Sequence, residues 1–212
     1  KRMSSHDALF HSLEEQGWAV SDTLVSASWR AALLKQGQEL WHEGHFHEAG
    51  IGREQNHQQR PDIRGDSICW VEPGSLPAGQ PFFAWMRELR QELNARYYLG
   101  LRSQEFHFAR YEAGRGYKKH IDQHRNTGHR KISVALYLNP HWKPLDGGEL
   151  CLYHPDDDHR ETQRILPMPG RLVIFRSDLI PHEVLPCRQA RWSLTGWLRS
   201  DESALKSLGA DF

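Results

Sequence analysis

Seven short segments of β-forming residues follow one another in the second half of this 212-residue chain. Gly, Pro, Asn and Asp separate the segments, which lie at about 103–111, 117–122, 130–138, 148–153, 171–176, 182–187 and 191–199. No helical period interrupts the series. Because consecutive strands without intervening helices pack as an antiparallel sandwich or barrel, this half is predicted to be a mainly β structure.

The first hundred residues show helical spacing on either side of a polar segment. Apolar residues recur at near-helical intervals at Leu24, Ala27, Ala31, Leu34 and Trp41, after an extended stretch at 17–20, and again at Phe82, Trp85, Met86, Leu89 and Leu93. Residues 42–66 are polar without a sustained period and predict a long surface loop. A second, shorter loop is predicted at Asp156 to Asp158, which form an acidic loop tip. One hydrophobic core can serve a chain of this length. We therefore expect a single domain over 1–212, with 1–100 as helices and loop and 101–200 as the β core.

Charge and cysteine content exclude several classes of protein. The 27 basic and 27 acidic side chains cancel, so neither nucleic acid nor a membrane surface is expected as a partner. The N-terminal segment lacks the apolar run of a secretory signal, and no stretch of about 18 apolar residues could span a bilayer. The 3 cysteines are widely separated and suit reduced thiols. We expect a cytoplasmic protein.

Two His-x-Asp motifs are candidates for a metal site. Two imidazoles and one carboxylate on one face of a metal ion leave positions open for substrate and oxygen, and His-x-Asp supplies two of these ligands compactly. The motifs are His120-Ile121-Asp122 and His154-Pro155-Asp156. Pro155 suits a turn better than a paired strand, which favours His120 and Asp122.

The third ligand must come from a later strand, and His182 in an apolar run is the candidate. The alternative for His182 is a core histidine with satisfied hydrogen bonds. His124 would complete a tight His-x-Asp-x-His set, although its neighbours are typical of a polar loop. A zinc cluster of His42, His45 and His47 is the remaining alternative, but no pattern of a closed structural site accompanies it.

Arg191 begins a strand pattern that places a cation inside the β structure. Strand alternation puts four residues on one face, namely Arg191, Ser193, Thr195 and Trp197. An arginine on an inward face is costly unless an anion meets it, and a guanidinium pairs well with a carboxylate. Tyr137 could donate its hydroxyl to the same carboxylate. The alternatives are an internal salt bridge for Arg191 and an ordinary sheet aromatic for Tyr137.

Taken together, these segments resemble the prolyl-hydroxylase branch of the iron(II)/2-oxoglutarate oxygenases, in particular the hypoxia-inducible-factor prolyl hydroxylases and their bacterial relatives. The resemblance covers about two thirds of the chain. It is carried, in order, by Asp62 to Asp66 with Trp70, Tyr111 to Asp122, Ile132 to Asn139, Asp146 to Leu150, Pro181 to Val184 and Arg191 to Trp197. The implied fold is a double-stranded β-helix, or jelly roll, supported by helices.

The resemblance also implies the roles of individual residues. The catalytic set is His120, Asp122 and His182 as iron ligands, with Arg191 and Tyr137 holding the distal carboxylate of 2-oxoglutarate. The same pocket would be lined by Tyr111, Leu150 and Thr195. The substrate would contact Tyr117, Trp197, Asp66 and Arg130, with Asp66 paired to Arg130, and a loop at 44–63 would close over it.

The implied activity is that of a peptidyl-prolyl 4-hydroxylase. It uses O₂ and 2-oxoglutarate with Fe(II), supported by ascorbate, and releases succinate and CO₂; oxygen sensing is a role of such enzymes. The first partner to expect is elongation factor Tu if the chain is bacterial. One alternative is a 2-oxoglutarate oxygenase acting on another residue or a small molecule. The other is a cupin-like module that binds metal without catalysis and without affinity for 2-oxoglutarate.

Overall fold

The computed structural model describes residues 6–50, 60–72, 74–123 and 128–202, which form three α-helices and eleven β-strands. The helices are α1 (Asp7–Gln16), α2 (Ala27–His42) and α3 (Gln80–Tyr97). The strands are β1 (Trp18–Ser21), β2 (His47–Glu48), β3 (Asp66–Trp70), β4 (Ser103–Tyr111), β5 (Tyr117–His120), β6 (Arg130–Tyr137), β7 (Leu150–His154), β8 (Asp157–Ile165), β9 (Leu172–Arg176), β10 (His182–Val184) and β11 (Arg191–Arg199).

Seven strands form an antiparallel sheet in the order β1-β9-β6-β11-β4-β3-β2. Strand β11 pairs with β4 from Arg191 opposite Tyr111 to Arg199 opposite Ser103. On its other side β11 pairs with β6, where Ser193 lies opposite Tyr137. Because successive side chains of a strand point to opposite faces, every second residue of these strands lies on the same side of the sheet.

One face of this sheet packs against the helices. The buried residues of α3 are Phe82, Met86, Leu89 and Leu93, and they share one apolar cluster with Phe106, Phe108, Val134 and Leu194 of the sheet. Burial of each such side chain stabilises the fold by about 1.5–3 kcal/mol, so α3 is fixed firmly on the sheet. Within the described ranges, no helix combines the length and hydropathy that crossing a bilayer requires.

The other face of the large sheet meets a second sheet of four strands in the order β5-β10-β7-β8. Apolar residues of both sheets pack between them, including Ala135, Tyr137, Leu150, Leu152, Val173 and Phe175. Two facing antiparallel sheets with helices on one outer face are the jelly roll that the sequence predicts. In the smaller sheet β5 pairs with β10, which places Tyr117 opposite Val184.

The seven predicted β segments all contain strands, but three further strands were missed. β2 at 47–48 lies inside the predicted loop, and β3 at 66–70 begins at the last residue of that loop, in a segment that was not assigned. A turn lies at 155–156 and β8 begins at Asp157, so the predicted acidic loop tip is wrong for Asp157 and Asp158, which belong to the strand. Eight of its nine residues are exposed. An edge strand exposed on this scale has no alternation of apolar and polar residues, which is why periodicity missed it.

Candidate active site

Strand pairing brings the three predicted metal ligands together. His120 ends β5 and lies opposite His182, the first residue of β10. Asp122 follows two residues after His120, and its Oδ1 lies 3.3 Å from His120 Nε2 and 3.2 Å from His182 Nε2. Metal bonds of about 2.1 Å at adjacent octahedral corners would separate ligand atoms by about 3.0 Å. The spacing therefore fits a single ion held by one face of three ligands.

Backbone contacts orient both imidazoles toward that position. Nδ1 of His120 lies 2.8 Å from the carbonyl oxygen of Lys118, and Nδ1 of His182 lies 3.0 Å from that of Ile180. A proton on each Nδ1 donates to these carbonyls, so each Nε2 faces Asp122 and becomes a metal ligand when it gives up its own proton on metal binding. The ring of Tyr117 stacks on His120 with centroids 3.7 Å apart and limits its rotation.

The electrostatics of the three side chains favour an ionised carboxylate. Burial opposes the charge of Asp122, but the charge of His182 and hydrogen bonds from both imidazoles outweigh it and hold the pKa of Asp122 well below its usual range. Burial and the neighbouring His182 lower the pKa of His120. Burial opposes protonation of His182 as well, yet the charge of Asp122 raises its pKa. Asp122 is thus ready to bind a cation.

The other histidine motifs do not form such a group. Nδ1 of His154 accepts a hydrogen bond of 3.1 Å from the backbone N–H of Asp156 in the β7-β8 turn, as the proline predicts. Among the described residues, His120, Asp122 and His182 are the one group whose ligand atoms all lie within 4.8 Å of one another. The cluster of His42, His45 and His47 is not such a group. His124 lies outside the described residues.

A cavity of about 490 Å³ opens above the three ligands. It is lined by all twelve residues that the sequence selects for the site: Asp66, Tyr111, Tyr117, His120, Asp122, Arg130, Tyr137, Leu150, His182, Arg191, Thr195 and Trp197. Ser193 also lines it, so the predicted inward face of β11 is confirmed. A cavity of this size takes a small molecule together with one side chain of a second substrate.

Arg191 provides a buried cation in this cavity. Only 3% of the residue is exposed, and its guanidinium carbon lies 4.9 Å from the ring centre of Tyr137 and 5.3 Å from that of Tyr111. Its Nε donates to the carbonyl oxygen of Gly148 over 2.8 Å. Within the described part of the chain, Arg191 has no ion pair with a carboxylate. Because a buried charge is costly without a counter-ion, this environment fits an anionic ligand.

Gly148 is a glycine for two structural reasons that bear on Arg191. Its φ is +67°, a conformation that residues with a Cβ rarely adopt. A Cβ added there would also lie 3.1 Å from Cδ of Arg191. The double glycine at 147–148 therefore lets the backbone approach Arg191 and accept its hydrogen bond.

The expected ion pair between Asp66 and Arg130 is wrong. Asp66 instead binds Arg64, whose Nε lies 2.9 Å from its Oδ1, because residues two apart in an extended segment project to the same side. Arg130 binds Glu105 at 3.0 Å, and Arg199 binds the same carboxylate at 2.9 Å. Glu105 lies on β4 opposite Trp197, so it is nearer to Arg130 than Asp66 is.

The cavity residues that the sequence missed include Arg64 and His107. The guanidinium of Arg64 lies 4.9 Å from the ring centre of Tyr117 at the rim. His107 is buried between Trp70 and Trp197, with ring centres 4.9 Å and 5.5 Å away. β4 was predicted as a strand, and His107 lies four residues before Tyr111. Strand alternation from Tyr111 could therefore have placed His107 on the same face.

His107 should make stability depend on pH. Burial, with the charge of Arg64 as a second cause, lowers the pKa of His107 to about 3, whereas an unfolded histidine titrates near 6.5. The unfolded state therefore binds the extra proton first, and stability falls as the pH drops below 6.5. Between pH 6.5 and 5 the loss is expected to be about 2 kcal/mol.

Urea unfolding of the wild type and of His107→Phe at pH 7, 6 and 5 measures this effect. The difference in free energy of unfolding between the two proteins isolates His107 from other titrating groups. As the pH falls, the wild type should lose more stability than the variant. Equal slopes for both proteins would show that His107 is not held neutral by the fold.

The predicted loop at 44–63 is described only in part. Its residues His47 and Glu48 form β2, which pairs with β3, and Ile63 accepts a hydrogen bond from the backbone N–H of Lys118 over 2.8 Å. Residues 51–59 lie outside the described residues. Closure of this loop over a substrate stays a prediction.

Comparisons with known proteins agree with this geometry. Residues 106–199 match the model of the 2OG-Fe(II) oxygenase superfamily. A crystal structure of a Pseudomonas putida prolyl-4-hydroxylase is 36% identical, with a TM-score of 0.81 over 92% of this chain and 98% of that one. The Trichoplax adhaerens prolyl hydroxylase, solved with a peptide of hypoxia-inducible factor, is 27% identical, with a TM-score of 0.79 over 97% of this chain and 92% of that one.

A curated relative gives the same family. The hypoxia-inducible factor prolyl hydroxylase of Caenorhabditis elegans is 29% identical over 94% of this chain, although the chain spans only 29% of that protein. This chain belongs to the 2OG-Fe(II) oxygenase superfamily. Within the superfamily it groups with the prolyl hydroxylases, as the sequence motifs predict. The superfamily uses Fe(II) and 2-oxoglutarate, and both the three-ligand face and the buried guanidinium fit them.

Proposed function

We propose that this chain is a prolyl hydroxylase that oxidises a prolyl residue of a protein substrate with O₂ and 2-oxoglutarate, releasing succinate and CO₂. The observation that carries the proposal is one cavity that holds both a three-ligand metal face and a buried arginine without a carboxylate partner in the described chain. The identity of 36% with the Pseudomonas putida prolyl-4-hydroxylase over nearly the whole chain supports the choice of proline.

Two groups of cavity residues hold the metal and the co-substrate. His120, Asp122 and His182 hold the ferrous ion. Arg191 binds the distal carboxylate of 2-oxoglutarate with help from the Tyr137 hydroxyl, and this pocket is lined by Tyr111, Leu150 and Thr195. When bound, Fe(II) would activate O₂, of which one oxygen atom would oxidise 2-oxoglutarate to succinate and CO₂ and the other would enter a C–H bond of the substrate. The chain's own contribution is to orient both substrates and to keep water out.

The prolyl ring is proposed to lie between Tyr117 and Trp197. Both side chains line the cavity, and Trp197 is 6% exposed, so they offer an apolar site for a ring that has no charge. The guanidinium of Arg130 lies 3.6 Å from the ring centre of Trp197 and fixes its plane. Asp66 is proposed to act on the substrate at the rim of the cavity by holding Arg64 in place. The loop at 44–63 is proposed to cover the bound peptide.

We further propose that residues 1–212 work as one domain in the cytoplasm. The partner is a protein with an exposed proline, and the first one to test is elongation factor Tu, because the Pseudomonas putida relative is a bacterial enzyme of this kind. Oxygen sensing follows as a proposal from the relatives that are named for hypoxia-inducible factor. Nucleic acid and membrane are not proposed as partners.

Mass spectrometry tests the proposed reaction. The protein is incubated with Fe(II), 2-oxoglutarate, ascorbate and a library of prolyl peptides that includes the loops of elongation factor Tu. The expected result is one added oxygen atom on a proline and an equal amount of succinate. Oxygen on another residue would contradict prolyl specificity while keeping the oxygenase class, and no succinate with any peptide would contradict the enzyme itself.

A further inference from the structure

Asp122 is held differently from the two histidine ligands. His120 and His182 lie in paired strands, but Asp122 follows the end of β5 and belongs to no strand. Its Oδ1 faces the imidazoles. Its Oδ2 accepts two hydrogen bonds, one of 2.6 Å from the Ser133 hydroxyl and one of 3.1 Å from Trp197 Nε1. These two donors turn Oδ2 away from the metal position.

Ser133 is itself bonded to a second serine. Its Oγ lies 2.8 Å from Oγ of Ser177, and the two residues are 2% and 0% exposed. A serine hydroxyl has a single proton. Because Ser133 gives its proton to the carboxylate of Asp122, Ser177 must be the donor to Ser133. Such a chain of hydrogen bonds polarises the hydroxyl that contacts the carboxylate and strengthens that contact.

The backbone of Ser177 holds the same segment from the other side. Its carbonyl oxygen accepts a hydrogen bond of 3.0 Å from the backbone N–H of Gln123, the neighbour of Asp122. Its own N–H donates to the carbonyl oxygen of Lys131 over 3.1 Å, which fixes Ser177 to β6. The segment that carries Asp122 is therefore attached to the large sheet by this backbone bond, by the serine pair Ser133 and Ser177, by Trp197 Nε1, and by Gln123 Nε2, which donates to the carbonyl oxygen of Arg130 over 2.9 Å.

We propose that Ser133, oriented by Ser177, is the positioning residue that presents Asp122 to the metal through Oδ1 alone. The inference rests on the metal role proposed for Asp122. Buried hydroxyls in a sheet commonly donate to a neighbouring backbone carbonyl. Here Ser177 donates to Ser133, and Ser133 donates to one carboxylate oxygen of Asp122. Ser133 lines the cavity on the face of β6 that also carries Ala135 and Tyr137.

Calorimetric titration of the protein with Mn(II), without O₂ or 2-oxoglutarate, tests the proposal. Ser133→Ala removes the donor and is expected to weaken Mn(II) binding by about 10-fold, as loss of an outer partner of a metal ligand does. Ser133→Thr keeps the hydroxyl and should bind within about 2-fold of the wild type. Ser177→Ala should weaken binding in the same direction but less. Ser103→Ala, which removes a hydroxyl that donates to Asp201, is the control and should not change it.

The outcomes separate this proposal from the metal site as a whole. Equal Mn(II) affinity in Ser133→Ala and the wild type would overturn the role of Ser133 and leave the proposed function standing. Equal loss in Ser133→Ala and Ser133→Thr would overturn it too, because a packing defect rather than the hydroxyl would then be responsible. If Ser133→Ala does not fold, Ser133→Thr and Ser177→Ala still decide the question. A wild type that does not bind Mn(II) would overturn both proposals.

Discussion

Replacing Asp122 with alanine is expected to abolish both metal binding and succinate formation. The carboxylate supplies the one negative charge among the three ligands and lies 3.2–3.3 Å from both imidazole nitrogens. Two neutral imidazoles alone hold a ferrous ion poorly, so the loss should exceed the roughly 10–100-fold typical of an outer partner. Titration with Mn(II) and a succinate assay with a prolyl peptide measure the two effects.

The other His-x-Asp motif gives a matched control for this substitution. Asp156→Ala removes the same residue type from the same kind of tripeptide, but in the turn between β7 and β8. It should leave Mn(II) affinity and succinate formation at the wild-type level. If Asp156→Ala lost the metal and Asp122→Ala kept it, the wrong motif would have been assigned.

Replacing Arg191 with methionine is expected to weaken 2-oxoglutarate binding by at least about 100-fold. A guanidinium can give a carboxylate two hydrogen bonds, each worth about 1.5–3 kcal/mol to a charged partner. Arg191→Lys keeps the charge but not the paired geometry, and should lie between the wild type and Arg191→Met. Titration of the Mn(II)-loaded protein with 2-oxoglutarate in the absence of O₂ gives these affinities.

Two further measurements make the Arg191 prediction specific. Mn(II) affinity should be unchanged in Arg191→Met, because Arg191 is not a ligand. Without 2-oxoglutarate the variant should be as stable as the wild type or more so, since it no longer buries a cation without an acidic partner in the described chain. Arg188→Met, on the exposed turn before β11, is the control for 2-oxoglutarate affinity. An unchanged affinity in Arg191→Met would place the distal carboxylate elsewhere in the cavity.

The central strands and the metal ligands could be predicted from the sequence, the strands from their burial and the ligands from their motifs. β4 and β11 are buried in the middle of the large sheet, so their residue types follow packing closely, and their predicted bounds of 103–111 and 191–199 match the structure. The ligands and Arg191 belong to short motifs whose order along the chain is specific. Edge strand β8 has no buried face to leave such a pattern.

The contacts between side chains could not be predicted, because they depend on strand register. Arg130 binds Glu105 and not Asp66, since β11 lies between β6 and β4 and places Trp197 opposite both Ser133 and Glu105. No spacing in the sequence encodes that arrangement. Ser133 could have been predicted, however, because it lies four residues before Tyr137 on β6 and therefore on the same face of the strand. Extending the alternation used for β11 to the two neighbouring strands would have placed Ser133 on the cavity face.

A crystal structure with Mn(II) and 2-oxoglutarate, grown without O₂, tests the metal and co-substrate site most directly. Anomalous scattering locates the manganese independently of any assumption about its ligands. The expected position is within about 2.3 Å of His120 Nε2, Asp122 Oδ1 and His182 Nε2, with the distal carboxylate of 2-oxoglutarate paired to the Arg191 guanidinium. Manganese bound at other side chains, or His182 turned away from His120 and Asp122, would contradict the oxygenase site.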